Sequence, residues 1–208
     1  MTAREGFQAA LVDVVEPVLV DAGYAGSPST WRRHNAGEDW AVVNVEAFGG
    51  EDVFHCAVNL AVVPAPWLEF MGVWLGMPPA AVQESVGLYR DRLTPEGWEI
   101  RSTEAAVEVA KDIAQRLTSH GLPLLDRLLD RDEILATVRA GDLGMLKHAQ
   151  YPGLFAFAEA VLISDEGPSD RLEELLDAAR EQAPGDRKEA AERYTDWIRE
   201  RAKWHGDD

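Results

Sequence analysis

The sequence lacks the residues and motifs that mark the commonest enzyme sites. Cys56 is its single cysteine, which excludes an intramolecular disulfide and a thiolate metal cluster. It has no Gly-x-Ser-x-Gly nucleophile motif, no Gly-x-Gly-x-x-Gly dinucleotide motif and no phosphate-binding loop. Its five histidines show no paired spacing of the kind that binds zinc. We therefore expect neither a metal nor an organic cofactor.

Basic residues are also scarce. The chain of 208 residues carries 20 Lys and Arg against 37 Asp and Glu, a formal net charge of −17 at pH 7. The acidic excess is present in every third of the chain, and no basic run is longer than Arg32-Arg33. Such a field repels phosphate backbones, so we expect no nucleic-acid partner. The acidity either keeps the protein in solution or favours a basic protein partner.

Long apolar runs are missing as well. No apolar run approaches the ~20 residues that span a bilayer. Asp13 and Glu16 interrupt the first apolar stretch, so it does not have the pattern of a secretory signal. These patterns predict a cytoplasmic protein with no membrane partner, and they leave its oligomeric state open.

The chain does contain clear signals for helices and strands. Residues 3–21 have the apolar spacing of an amphipathic helix. Residues 64–80 contain four prolines and predict a short helix followed by an irregular loop. Alternating apolar and polar residues, bounded by turn signals, predict strands at 29–35, 40–48 and 53–62 and a second strand pair at 85–93 and 97–101.

Helical spacing dominates from residue 103 onward. The helix that starts there is predicted to end at Gly121-Leu122-Pro123, and further helices follow to the end of the chain. This order predicts an α+β fold, in which a mostly antiparallel sheet of about five strands is packed by helices and followed by an α-helical C-terminal extension. We place the sheet domain at residues 1–140 and the helical extension at 141–208.

Four polar side chains are predicted to share one face of the second and third strands. They are Asn44, Glu46, His55 and Asn59, and alternation turns them away from the apolar face. Glu46 and His55 are candidate catalytic residues for acid–base chemistry, with Asn59 as an orienting group, and Asn44 is a candidate binding residue. The alternative is a half-solvated face, which is the default for antiparallel sheets.

Three further side chains are candidates for binding. Arg33 belongs to the only local basic cluster of an acidic chain, where it reaches either Glu46 in a salt bridge or an anionic ligand. Trp67 and Trp74 lie in the proline-containing segment, and they form either a surface for a partner or a lid packed into the core.

The order of several short motifs is similar to that of a known family. These motifs are a helix ending in Gly23-Tyr24, Trp31-Arg32-Arg33, Val43-Asn44-Val45-Glu46, Phe54 to Leu60 with Asn59, Val86-Gly87, Trp98, and Gly121-Leu122-Pro123. Over residues 5–140 they resemble the bacterial family called domain of unknown function 4304. The chain departs from the family pattern at Glu46, Phe48 and Ser85, where glutamine, serine and arginine are expected. The resemblance implies the fold and no particular activity, and it implies that this member has altered any family site at those positions.

Three classes of function remain open at this point. The first is a non-catalytic protein-binding or immunity-like module, by analogy with other small acidic bacterial proteins. The second is a small hydrolase or transferase that uses Glu46, His55 and Asn59. The third is a sensor that holds a small anion at Arg33.

Overall fold

The sheet is the centre of the fold. A computed structural model describes residues 2–76, 81–148 and 153–205. The predicted α+β fold, with its antiparallel sheet and C-terminal helices, is confirmed. The strands of the described part are β1 (Ala25–Ser27), β2 (Thr30–His34), β3 (Trp40–Gly49), β4 (Phe54–Val63), β5 (Tyr89–Arg92) and β6 (Trp98–Ile100).

Every pairing between these strands is antiparallel. The order across the sheet is β1-β2-β3-β4-β5, and β6 also pairs with β4. The prediction that β5 and β6 form a pair with each other is wrong, because each strand pairs with a different part of β4. Strand β5 lies beside residues 59–62 of β4, and β6 lies beside residues 54–56. The long strand β4 thus pairs with two short strands, β5 and β6, along the same edge.

The helices follow the predicted order. In the described residues they are α1 (Ala3–Ala10), α2 (Glu16–Asp21), α3 (Ala65–Leu75), α4 (Thr103–Arg116), α5 (Leu122–Leu128), α6 (Arg131–Arg139), α7 (Leu154–Ile163), α8 (Asp170–Gln182) and α9 (Lys188–His205). A π turn at Leu11–Val15 joins α1 to α2, which places Pro17 in the first turn of α2, where its missing N–H costs little.

The predicted break at Gly121-Leu122-Pro123 does not occur. A π turn at Leu117–Gly121 carries helix α4 directly into α5. Pro123 then lies at the start of a new hydrogen-bonding frame, where its lack of an N–H is tolerated. Gly121 packs beside Leu60 of the sheet.

The inner face of the sheet, which carries the odd-numbered side chains of β2 and β3 and the even-numbered ones of β4, packs against α1, α2, α4 and α5. Phe7 of α1 packs on Phe54 with their ring centroids 5.6 Å apart, and Trp98 Nε1 donates a hydrogen bond of 2.8 Å to Asp112 of α4. Trp31, Phe54 and Leu60 are almost fully buried. The core of the domain therefore lies on this side of the sheet.

The outer face is the opposite one, and it is only half covered. Helix α3 and the segment 82–88 lie over its end near Val42 and Ala61. Trp67 of α3 donates a hydrogen bond from Nε1 to the Val86 carbonyl, 3.1 Å away, and Gly87 packs directly on Ala61. Within the described residues no helix lies over the other end of the outer face, where Asn44 is half-buried and Glu46 and Phe48 are exposed.

The C-terminal helices are joined to the sheet by a chain of ion pairs. Asp39, in the turn between β2 and β3, accepts hydrogen bonds from Arg131 at the start of α6 and from the Ala65 amide at the start of α3. Arg131 also contacts Asp165 after α7, and Asp165 in turn pairs with Arg201 of α9. The boundary at residue 140 stays a prediction. None of the helices in the described ranges is long and apolar enough to cross a bilayer.

Candidate functional site

A row of polar side chains crosses the uncovered half of the outer face. Thr30, Asn44, Asn59 and Arg92 are directly opposite one another on the neighbouring strands β2, β3, β4 and β5. Asn44 donates from Nδ2 to the Thr30 hydroxyl at 2.9 Å, and Asn59 donates from Nδ2 to Asn44 Oδ1 at 3.2 Å. These hydrogen bonds fix the orientation of both amides. We call these four residues the polar row.

A groove of about 250 Å³ lies at the β5 end of the polar row, and we call it the arginine groove. Its position follows from strand alternation, since Arg90 and Arg92 of β5 lie on the same face, opposite Ala61 and Asn59. The residues that line the groove are Glu46, Asn59, Leu60, Glu84, Ser85, Arg90, Asp91, Arg92 and Met145, and the Asp91 carboxylate accepts hydrogen bonds from the Tyr89 hydroxyl and the Arg92 amide.

The two guanidinium groups of the arginine groove contact backbone oxygens. Arg90 Nη1 donates to the Ser85 carbonyl at 2.9 Å, and Arg92 Nη1 lies 3.5 Å from the Pro95 carbonyl. The buried Nε of Arg92 has no acceptor. Within the part of the chain that the structure describes, neither arginine forms an ion pair with a carboxylate. Both charges are therefore held in place without being neutralised.

The end of the β3–β4 hairpin forms a second exposed feature of the outer face. Residues 46–53 are exposed without interruption. Phe48 is 53% exposed and Val53 is 46% exposed, which is unusual for large apolar side chains. The Phe48 ring stacks on the half-exposed imidazole of His55, with centroids 5.9 Å apart. We call Phe48, Val53 and His55 the hairpin surface.

Acidic groups surround the hairpin surface, and a basic side chain closes its free edge. Glu99 of β6 lies 3.8 Å from His55 Nε2, and Glu51 is in the hairpin turn. Arg4 donates hydrogen bonds to the carbonyls of Ala47 and Gly49, which occupies backbone acceptors of β3 beyond the end of β2. A molecule that docks here meets side chains rather than a bare strand edge.

The three predicted catalytic residues do not converge. Glu46 and Asn59 both line the arginine groove. His55 is four residues from Asn59 along β4, which is about 13 Å at the rise of a strand, and it contacts Phe48 and Glu99 instead. His55 is a diagonal neighbour of Glu46 across β3 and β4, but in the described residues no hydrogen bond or ion pair joins its imidazole to Glu46 or Asn59, so the three side chains do not form one hydrogen-bonded set.

Arg33 lies on the inner face, opposite to Glu46. The expected contact with Glu46 is wrong, because odd-numbered residues of β2 and even-numbered residues of β3 point to opposite sides of the sheet. Arg33 instead pairs with Asp126 of α5, donates to the Ala22 carbonyl at 3.1 Å and stacks over the Tyr24 ring. Burial raises the pKa of Tyr24, and the positive charge of Arg33 opposes that shift. Arg33 thus has a structural set of contacts.

The two predicted tryptophans serve packing. Trp67 is buried and fixes the segment 82–88 through its hydrogen bond to Val86. Trp74 stacks on Tyr194 of α9 with ring centroids 5.1 Å apart. The Phe70 ring contacts both, with its centroid 5.8 Å from that of Trp74 and 5.5 Å from that of Tyr194. These contacts join α3 to α9.

Cys56 and the acidic groups offer no metal chemistry in the described ranges. Cys56 is buried on the inner face, and burial raises the pKa of its thiol to about 12. Nowhere in residues 2–76, 81–148 and 153–205 do three or more histidine, cysteine or acidic side chains lie close enough together to hold a metal ion.

Arg90, Arg92 and Glu84 of the groove are not among the residues predicted from the sequence. The alternation in Tyr89-Arg90-Asp91-Arg92 is a usable signal, since it places both arginines on one side of a strand. Local patterns do not indicate which strand β5 joins, so they do not connect these arginines to Asn59 or Glu46. Glu84 lies in a short 3₁₀ turn at Glu84–Val86, which no periodic pattern marks.

The fold and these surfaces define an α+β protein whose antiparallel sheet is open on half of one face. The family model described as domain of unknown function (DUF4304) matches residues 15–127, more than half of the chain, and the protein belongs to this family. No curated protein matches the chain, and no solved structure does. Glu46 and Ser85, two of the three positions where the sequence departs from the expected family pattern, both line the arginine groove.

Proposed function

We propose that this protein is a non-catalytic binding module that contacts another protein through the hairpin surface. The observation that carries the proposal is the exposed Phe48–His55 stack with Val53 nearby in the hairpin, on a part of the sheet that none of the described helices covers. Exposed aromatic side chains are typical anchors of protein interfaces, where they fill a pocket of the partner.

The charges around the hairpin surface favour a basic partner. Glu51 and Asp52 lie in the hairpin turn and Glu99 lies beside His55, with Glu51 paired to Arg4 and Glu99 to Arg101, and the whole chain carries a net charge of −17. Complementary charge accelerates encounter, and its effect falls as salt is added. We therefore expect a partner with a basic surface around an apolar pocket, and an affinity that weakens with ionic strength.

Catalysis at the predicted residues receives less support from the geometry. His55 is stacked on Phe48 and lies beside Glu99, and it is not one of the residues that line the groove with Glu46 and Asn59. A general base must reach its substrate within hydrogen-bonding distance, directly or through one water. His55 and Asn59 are about 13 Å apart along β4, so a single small substrate group does not reach both.

The test is a quantitative comparison of captured proteins from the native host. We expect wild-type protein to retain a stoichiometric partner that the Phe48→Ser and Val53→Ser double variant loses. Val20→Ser is the matched control, because Val20 is 55% exposed on α2, away from the hairpin surface. The purified pair should then bind more weakly at high salt. Capture of the same proteins by the double variant and by wild type would contradict the proposal.

A further inference from the structure

We propose that the arginine groove is a binding site for a free amino acid, whose carboxylate is held by Arg90 and Arg92 and whose ammonium group faces Glu46 and Glu84. This site is separate from the hairpin surface, and it does not depend on the protein-binding function proposed above. The unpaired charges of the groove, its size and the fixed geometry of its walls support this assignment.

Arg90 and Arg92 differ from most other described arginines, because they form no ion pair with a carboxylate. Carboxylates outnumber basic groups by almost two to one in the chain, and most of the described arginines take them as partners, as Arg171 and Arg199 do, whereas Arg32 donates to the Val82 carbonyl. Over the described ranges Arg90 and Arg92 contact backbone carbonyls only. Two guanidinium groups without an ion-pair partner attract an anion strongly, even though the chain as a whole has a net charge of −17.

Most N–H donors of the Arg90 and Arg92 guanidinium groups have no acceptor among the described residues. Each guanidinium has five N–H donors in a fixed planar arrangement. Arg90 uses one of them on Ser85, and Arg92 has one long contact with Pro95 and a buried Nε with no acceptor. The backbone contacts fix the orientation of the side chains and leave most donors available. This arrangement suits a planar acceptor with two oxygens, which is a carboxylate.

The acidic side chains of the arginine groove favour a carboxylate ligand over a phosphate. Glu46 and Glu84 line the same groove, and in the described part of the chain neither forms an ion pair. Their negative charges oppose a dianion such as phosphate and favour a ligand whose second group is cationic. Since the arginines and the carboxylates lie in one groove without pairing, a ligand with both charges satisfies both sets.

The size of the groove limits the ligand further. Its volume of about 250 Å³ is below the range of sites for drug-sized molecules, roughly 300–1,000 Å³. Asn59 at the base of the groove is fixed by its hydrogen bond to Asn44, so the floor is rigid. Met145 provides an apolar wall that is flexible enough to pack against different side chains. These features fit a single small amino acid.

The experiment is isothermal titration calorimetry of the full chain with the standard amino acids, with propionate, ethylamine and N-acetylalanine as fragments, and with inorganic phosphate. We expect at least one free amino acid to bind more tightly than every fragment and than phosphate. Arg92→Lys keeps the charge and removes the paired donors, so it should weaken binding roughly 10- to 100-fold. Arg116→Lys is the matched control, since Arg116 pairs with Asp112 on α4 outside the groove, and it should bind like wild type.

The variant Glu46→Gln tests whether the carboxylates of the groove attract the ammonium group of the ligand. Glu46→Gln removes a negative charge, so it should weaken binding of the amino acid and strengthen binding of propionate. Circular dichroism establishes that each variant is folded. Absence of binding by every amino acid, tighter binding of phosphate, equal binding of N-acetylalanine, or unchanged affinity in Arg92→Lys would each overturn the proposal.

Discussion

Replacing Asp39 by alanine should strongly destabilise the protein, because this carboxylate is a buried junction between distant segments. Asp39 is 3% exposed. It accepts hydrogen bonds from Arg131 Nε at 2.7 Å, from the Ala65 amide at 2.8 Å and from Asn35 Nδ2 at 3.3 Å. Removal of the carboxylate leaves the guanidinium without its principal partner and the first turn of α3 without a cap.

The magnitude follows from the burial of the two partners. Removing one member of a buried ion pair costs about 3–5 kcal/mol, because the remaining charge stays desolvated. The side chain of Arg131 is 33% exposed and also contacts Asp165, so part of its charge remains solvated and paired. We therefore expect the lower end, about 3 kcal/mol in the free energy of unfolding. For a domain of this size that is a decrease of about 6–12 °C in Tm.

The assay is urea and thermal unfolding followed by circular dichroism, for wild type, Asp39→Ala, Arg131→Met and the double variant. The double variant should lose less than the sum of the single losses, with a coupling of about 1–3 kcal/mol. Glu108→Ala is the control, since its ion pair with Lys111 is exposed and should contribute less than about 1 kcal/mol. A loss below about 1 kcal/mol for Asp39→Ala, or additive losses, would refute the reasoning.

Three further predictions concern single residues. Cys56 should not react with Ellman's reagent at pH 8 in the native protein, because it is buried and its thiol pKa is raised to about 12, and it should react fully in denaturant; rapid reaction of the native form would contradict its burial. Glu159 is a pH-dependent contributor: burial raises its pKa, but hydrogen bonds from Arg171 and Arg139 outweigh burial and hold the pKa below its usual value of 4.5. Its stabilising effect is thus complete above that value and is lost as the pH falls through the lower folded-state pKa, so the difference in Tm between wild type and Glu159→Gln should shrink between pH 7 and pH 3; a constant difference would refute this. Gly97→Ala should cost more than about 2 kcal/mol in urea unfolding, because residue 97 has a φ of +69° and a Cβ there would lie 2.3 Å from the Cys56 carbonyl oxygen; a smaller loss would show that β6 moves freely.

Much of the sheet could be predicted because its signals are local. Alternation along β3 and β4 correctly placed Asn44, Glu46, His55 and Asn59 on one face, opposite the apolar inner face, although Val42 and Ala61 of the outer face are buried as well. The turn residues between these strands indicated a hairpin, and the hairpin forms. The same local reasoning found the N-terminal helix.

The candidate site was harder to predict because its parts come from distant segments. Residues of β3, β4 and β5 and of the turn at Glu84–Val86 meet in the arginine groove. Placing His55 with Asn59 assumed that a shared face implies proximity, whereas two residues on one face of a strand can be four positions apart. Linking Arg33 to Glu46 ignored the register between β2 and β3, which turns these side chains to opposite faces.

The sequence by itself determined which side chains of each strand point together, because the direction of a Cβ alternates with every residue of an extended chain. It also determined the acidity, the helical C-terminal part and the family. Only the tertiary structure decided that β5 joins β4, that α3 covers half of the outer face, and that Arg90 and Arg92 therefore lie beside Glu46 in an open groove. The physical reason is that strand pairing and helix docking depend on contacts between segments far apart in the chain, and local periodicity carries no information about those partners.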